Sequence, residues 1–143
     1  MRYWIFRCNP DLYDIDKRLE FSDPRTTWRV TRYRKEVSPG DLAFIWRGGT
    51  HRGICAAIEI DSCPQEMSEL EHELPFCTKI STGRETKVQA HFLSWRGFID
   101  EETILADSAL ADLSIFGFKQ ATNYRVTSDQ GQRIQALMSR RTV

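Results

Sequence analysis

Tryptophan and arginine crowd together in one part of this chain, and that combination can do chemistry. Trp28 lies among Arg25, Arg29 and Arg32; Arg34 and Lys35 follow, and Trp46 and Arg47 end the next apolar run. An aromatic face stacks on a nucleobase, worth about 1–3 kcal/mol per base, while arginine and lysine hold phosphates. A base turned out of its stack needs a slot with aromatic walls and a few polar groups that meet its Watson–Crick edge. Trp28, Trp46 and Asn9 are the residues assigned to such a slot. Arg29, Arg32, Arg34 and Arg47 are assigned to phosphate and expected to line one positive face. Core packing competes for both tryptophans. Leu42, Phe44 and Trp46 share one strand face, so Trp46 is core if that whole face is core. Trp28, flanked by arginines, is expected to be partly exposed in a cleft with Asn9.

Other chemistries find little support. No GxSxG, HExxH, Walker loop or GxGxxG occurs. The three histidines are scattered: His51 in a turn, His72 in an acidic loop and His91 in a strand. A histidine without an identifiable partner is poor ground for acid–base catalysis. Cys8 stands beside basic residues, but nothing places a base next to it. Cys8, Cys55, Cys63 and Cys77 show neither CxxC spacing nor a paired-histidine pattern. Reduced thiols in a cytoplasmic protein are expected, with no metal, no cofactor and no catalysis.

The chain has 20 basic and 20 acidic residues, a formal net charge of zero. The charges are nevertheless segregated. From Arg25 to Arg52 there are seven lysines and arginines against Glu36 and Asp41, whereas Glu59 to Glu73 holds six acids and no lysine or arginine. A neutral protein built this way can still carry a strong local field. The plain alternative for a charge run is a solvated face. No apolar run approaches the roughly 20 residues of a membrane span. Met1–Phe6 lacks the apolar region and cleavage site of a signal peptide and reads as a first strand.

These residues need elements to position them. At 143 residues one domain with a substantial core is the simplest organisation. Tyr3 to Arg7 is strand-like. Leu12, Ile15 and Leu19 predict a short helix over 11–20, and Arg32 to Val37 one or two helical turns. Ser38-Pro39-Gly40-Asp41 breaks the chain before strands at Leu42–Trp46 and Gly53–Ile60, joined through a Gly-Gly turn as a hairpin. The long connection 61–76 is given one helical turn through Met67, Leu70 and Leu74. Lys87 to Trp95 is a strand, 100–113 short helical pieces, and Leu113 to Phe118 a strand or extended segment. Thr127 and Gln130 form a capping box for a last helix whose apolar face carries Ile134, Leu137 and Met138. The sum is α+β: a small curved sheet expected to close into a barrel flanked by helices.

The opening YWIFRCNPD, the TTWRV block, VSPGDLAFIWRGG with RGICAAIEI, and LSIFGFKQATNYRVTSDQ before the final helix resemble the EVE domain. That family lies in the PUA-like superfamily and is related to the YTH domains that read methylated adenine in RNA. The likeness covers nearly the whole chain. Its most specific part is the spacing of Trp28, the PGD turn and the hairpin. It implies a PUA-like small β-barrel flanked by short helices, spanning 1–143. It implies a non-catalytic module that binds DNA or RNA carrying a modified base, methylated or hydroxymethylated cytosine foremost. A nuclease or modification-system protein is the partner it suggests. By position, Trp28 matches the tryptophan that forms one wall of the base cage in related readers, and Asn9 falls where polar groups are supplied. Trp46 matches more loosely, so the second wall is assigned either to Trp46 or to the 61–76 loop, whose one aromatic is Phe76. The alternatives are a general RNA-binding PUA-like module and a small-molecule sensor or enzyme using the same cleft. Steep salt dependence marks the nucleic-acid readings.

Overall fold

The first strand, β1 (Tyr3–Cys8), runs parallel to β3 (Leu42–Arg47), with Tyr3 opposite Leu42 and Cys8 opposite Arg47. Both strands are covered on both faces. Tyr3 and Ile5 enter one core with Phe44, Trp46, Ile134 and Leu137, while Trp4, Phe6 and Cys8 enter another with Ile45, Ile58, Val88 and Phe92. A parallel pair buried on both sides reads as an unbroken apolar run, and that is how YWIF and LAFIW read. The computed structural model describes residues 1–78, 84–118 and 120–140.

The hairpin forms as its sequence predicts: β3 pairs antiparallel with β4 (Gly53–Ile60), with a register shift between Ile45 and Trp46. The Ser38–Asp41 breaker ties it to β1. Gly40 takes φ +89°, a conformation glycine adopts without a Cβ clash. Asp41 is buried and accepts hydrogen bonds from the Arg2 and Ser38 backbone N–H groups and from Trp4 Nε1, at 2.9, 3.0 and 2.9 Å. A charged side chain is buried here because its oxygens are satisfied.

The sheet is mixed, with order β2-β6-β4-β3-β1-β8, where β2 is Arg25–Arg29, β6 is Glu85–Phe92 and β8 is Asn123–Val126. Two short strands sit off this path: β5 (Gln65–Met67) on β6 and β7 (Ile99–Asp100) on β4. The helices are α1 (Ile15–Arg18), α2 (Glu101–Ala106), α3 (Ser114–Gly117) and α4 (Ser128–Arg140), with a 3-10 turn over Glu71–Phe76. The strands expected at Tyr3–Arg7, Leu42–Trp46, Gly53–Ile60 and from Lys87 onward do share one sheet, as β1, β3, β4 and β6. Among the described residues, backbone pairing does not carry that sheet round into a closed barrel, because the path ends at β2 and β8. A side chain spans the gap instead. The buried amide of Asn123 accepts from the backbone N–H groups of Thr31 and Arg32 and donates to Arg32 O at 2.7 Å.

The capping box before α4 is present, with Thr127 N donating to Gln130 Oε1 and Gln130 N donating to Thr127 Oγ1, both at 3.1 Å. Several elements depart from expectation. Leu113–Phe118 contains the helical turn α3, and the 11–20 helix shrinks to α1 because Asp14, not Asp11, caps it by accepting from Lys17 N. Arg32–Val37 is a turn closed by Tyr33, which sits at φ 57°. The 61–76 connection supplies β5 before its helical turn. Among the described residues, no helix is long and apolar enough to cross a membrane.

Candidate nucleic-acid interface

Trp28 lies in β2, opposite Val88 of β6. Its ring packs against the second core and is left half-buried at the wall of an open cleft of about 300 Å³. Asn9 lines the same cleft, from the turn that ends β1. Its Oδ1 accepts the Asp11 backbone N–H at 3.0 Å, and its backbone carbonyl accepts from Leu12 and Tyr13. This Asn-Pro-Asp turn brings Leu12 and Tyr13 to the cleft as well. The spacing of Leu12, Ile15 and Leu19 predicts a helix over 11–20, and the place of Leu12 and Tyr13 at the cleft is not legible from it.

The Tyr13 ring meets the Trp28 indole edge-on and is held from behind. Its hydroxyl donates to Glu73 Oε2, and Glu73 Oε1 accepts from Arg18 Nε at 2.6 Å, with both charged side chains 1% exposed. Burial and the neighbouring Glu73 carboxylate push the Tyr13 phenol far up, so it stays protonated and donating. Tyr13 is therefore a fixed wall. Trp28 has a different peculiarity: its indole N–H is buried and has no acceptor among the described residues. Such a group costs on the order of 1–3 kcal/mol when left unpaired.

The polar lining is asymmetric in charge. Among the described residues, Arg7, Arg29 and Lys87 face it against a single carboxylate, Glu69. Lys87 Nζ donates to Glu69 Oε2 at 2.6 Å, and Thr27 Oγ1 donates to Glu69 Oε1 at 2.8 Å. Arg29 stands opposite Lys87 in the β2–β6 ladder, is exposed, and has no ion-pair partner among the described residues. With Lys87 paired to Glu69, Arg29 stands exposed to meet an anion, in a lining that also holds Arg7. Thr27, Glu69 and Lys87 were not singled out from sequence. Glu69 sits in an acidic run without periodicity, and only the fold brings it against β6.

Trp46 is corrected. It does not line this cleft. It is 3% exposed in the first core, its ring edge-on to Phe116 at 5.6 Å, because the whole Leu42–Phe44–Trp46 face is core. Phe76 does not line the cleft either; it packs on Phe21, and the 61–76 loop contributes Glu69 instead. The four arginines do not form one lining. Arg29 lines the cleft, whereas Arg32 lies over the Tyr33 ring at 5.0 Å and Arg34 lines a separate surface hollow beside it. Arg47 ends β3, bonded to Asp16 at 3.2 Å and to His51 O at 3.0 Å.

Nucleophile and metal chemistry lie outside the cleft lining. Cys8 and Cys55 are buried free thiols, and burial raises both, Cys55 to about 12. A thiol so raised is not a thiolate at neutral pH. Glu59, Asp61 and His91 bring metal-type donors within 4.8 Å of one another. They lie on the exposed β4–β6 surface, where His91 Nδ1 already bonds Asp61 at 2.8 Å.

The model of the EVE domain matches residues 2–137. No curated protein matches the chain by sequence. Among solved structures, a hypothetical protein from Leishmania major superposes with a TM-score of 0.69 at 13% identity, covering 98% of this chain and 96% of the other. A protein from Rhodopseudomonas palustris gives 0.69 at 16% identity, covering 97% and 94%. Human THYN1, solved in complex with DNA containing 5-methylcytosine, gives 0.67 at 14% identity, covering 96% and 98%. At these identities the structural likeness speaks for the fold, and with the match over residues 2–137 this chain belongs to the EVE domain family.

Proposed function

We propose that this chain is a non-catalytic reader of a modified base in nucleic acid, with methylated or hydroxymethylated cytosine as its ligand. The observation that carries this reading is the half-buried Trp28, walled by a fixed Tyr13 in a cleft that also presents Asn9, Arg29 and the Lys87–Glu69 pair. Stacking needs an aromatic face left open to solvent, and phosphate needs a cation without a carboxylate partner. Trp28 stands half-buried at the cleft wall, and Arg29 beside it is exposed with no ion-pair partner among the described residues, so a candidate for each requirement falls at one place. THYN1, of the same fold, has been solved with DNA containing 5-methylcytosine, which supports cytosine as the base.

A methyl group on the bound base adds buried apolar area at about 25 cal/mol per Å². That gain is on the order of 1 kcal/mol, or several-fold in affinity. Discrimination between methylated and unmodified cytosine is therefore modest by this route alone. The test is binding of a 5-methylcytosine oligonucleotide and its unmodified twin to the wild type and to Trp28→Ala. The variant should lose the discrimination and keep weak, salt-sensitive binding through Arg29. Undiminished discrimination in a folded Trp28→Ala protein would place the base elsewhere.

A further inference from the structure

Stacking and methyl burial cannot tell 5-methylcytosine from thymine. The two bases share the ring and the 5-methyl group. They differ on the Watson–Crick edge, where cytosine has an exocyclic N4 amine that donates and thymine has an O4 carbonyl that accepts. At that 4-position, a group that accepts and cannot donate favours methylcytosine over thymine.

Among the described side chains of the cleft, Glu69 alone has that property. Arg7, Arg29 and Lys87 only donate. The Tyr13 hydroxyl is spent on Glu73, and the Thr27 hydroxyl donates to Glu69 itself. Asn9, Gln120 and Thr122, which also line the cleft, carry donors beside their acceptors, so none of them is bound to reject a carbonyl. Glu69 is the one lining carboxylate, held from two sides by Lys87 Nζ at 2.6 Å and Thr27 Oγ1 at 2.8 Å. An ionised carboxylate accepts about four hydrogen bonds, so two such contacts leave acceptor capacity for a ligand. Of the Glu69–Lys87 pair, the carboxylate is the more accessible member, 24% against 9% exposed. The ligand therefore meets the acceptor more readily than the donor.

We propose that Glu69, oriented by Thr27 and Lys87, is the specificity residue of this cleft: it accepts from the N4 amine of the bound cytosine and rejects the O4 carbonyl of thymine. This rests on the base-reading function proposed above. Lys87 and Thr27 hold one Glu69 oxygen each, so the acceptor is fixed in place and cannot rotate away. A thymine in the same pose sets a carbonyl dipole against a carboxylate that cannot donate to it.

The experiment uses four single-stranded DNA oligonucleotides differing at one position: cytosine, 5-methylcytosine, uracil and thymine. They vary the methyl and the edge independently. Wild type should bind 5-methylcytosine about tenfold more tightly than thymine, the equivalent of about 1.4 kcal/mol. The smaller several-fold preference for methyl should appear within each edge type. Glu69→Gln keeps the shape and can turn an N–H toward a carbonyl. It should collapse the 5-methylcytosine-to-thymine ratio toward one while keeping the methyl preference. Thr27→Val, which removes only one of the two groups orienting Glu69, should lower the ratio part-way; it decides the question if Glu69→Gln fails to fold. If 5-methylcytosine and thymine bind equally and both exceed their unmethylated twins, the cleft reads methyl but Glu69 does not read the edge. A folded Glu69→Gln protein that keeps the wild-type ratio overturns the assignment as well. If all four bind alike, the base-reading function itself falls.

Discussion

Tyr13 and Trp28 meet with ring centroids 5.8 Å apart and planes at 71°. Neither ring sets this geometry alone. Tyr13 is anchored through its hydroxyl to Glu73, and Glu73 to Arg18, whose guanidinium lies 4.9 Å from the centre of the Phe92 ring. The network joins α1, the 3-10 turn and β6, so the cleft wall is built by the fold before any ligand arrives.

The Arg18–Glu73 pair has a stability signature. Removing one partner of a buried pair leaves an uncompensated charge and costs about 3–5 kcal/mol. Glu73→Ala should lose stability on that scale in urea denaturation. Tyr13→Phe removes a single hydrogen bond to a charged acceptor and should cost about 1.5–3 kcal/mol or less. Because it loosens the wall, it should also weaken oligonucleotide binding. A Glu73→Ala protein as stable as wild type would mean that this network does not hold Tyr13.

Charge reversal should separate the arginines. Arg29→Glu is expected to weaken binding of every oligonucleotide and flatten its salt dependence by one to two phosphate contacts, roughly 0.7–0.9 per contact in log–log slope. Arg34→Glu and Arg47→Glu should do much less, since neither lines the cleft. Arg47 also gives up only a partly exposed pair with Asp16, a kind worth about 0–1 kcal/mol. Fluorescence anisotropy across a salt series measures all three. Equal effects would restore the single positive face read from the sequence.

Much of this was legible in the chain, and the parts that were not share a cause. The hairpin, the PGD turn and the α4 capping box are local, and their signals lie within a few residues. Trp28 stood out because arginines surround it. Trp46 was ambiguous because a strand's period places it on a face without saying what covers that face; α3 supplies Phe116 to cover it. Strands β5 and β8, three and four residues long, are too short to show a period. Glu69 and Lys87 are 18 residues apart, and Glu73 binds Arg18 across 55. Such contacts between distant elements leave no mark on sequence spacing.

The thiols give a test of burial. Alkylation near pH 8 should modify exposed Cys63 first, while Cys8 and Cys55 react only when the protein unfolds. Burial raises the folded Cys55 from 9.0 to about 12. A group raised in the folded state contributes stability in full below its unfolded value, and that stability is lost as pH climbs toward the folded one. The protein should therefore lose stability from about pH 9 upward, and Cys55→Ala, corrected for its lost packing, should flatten that alkaline slope. Mass-mapped labelling and pH-dependent melts read both. Rapid labelling of Cys55 in the folded protein would contradict the burial.

The two tryptophans should part company on mutation. Trp46 is 3% exposed among Phe44, Ile54 and Phe116, and a fully buried large aromatic cut to alanine costs about 3–5 kcal/mol. Trp46→Ala should lower the midpoint of denaturation sharply. Among molecules that stay folded, it should leave the ratio of affinities for methylated and unmethylated oligonucleotides unchanged. Trp28 is half-buried, so Trp28→Ala should cost less stability than Trp46→Ala, and removing its unpartnered indole N–H offsets part of that loss. Its effect should fall on the affinity ratio instead. Measuring denaturation and the affinity ratio for both variants gives a crossed pattern, stability for one and discrimination for the other. A Trp46→Ala protein that stays stable and loses discrimination would put the base against β3 and not against β2.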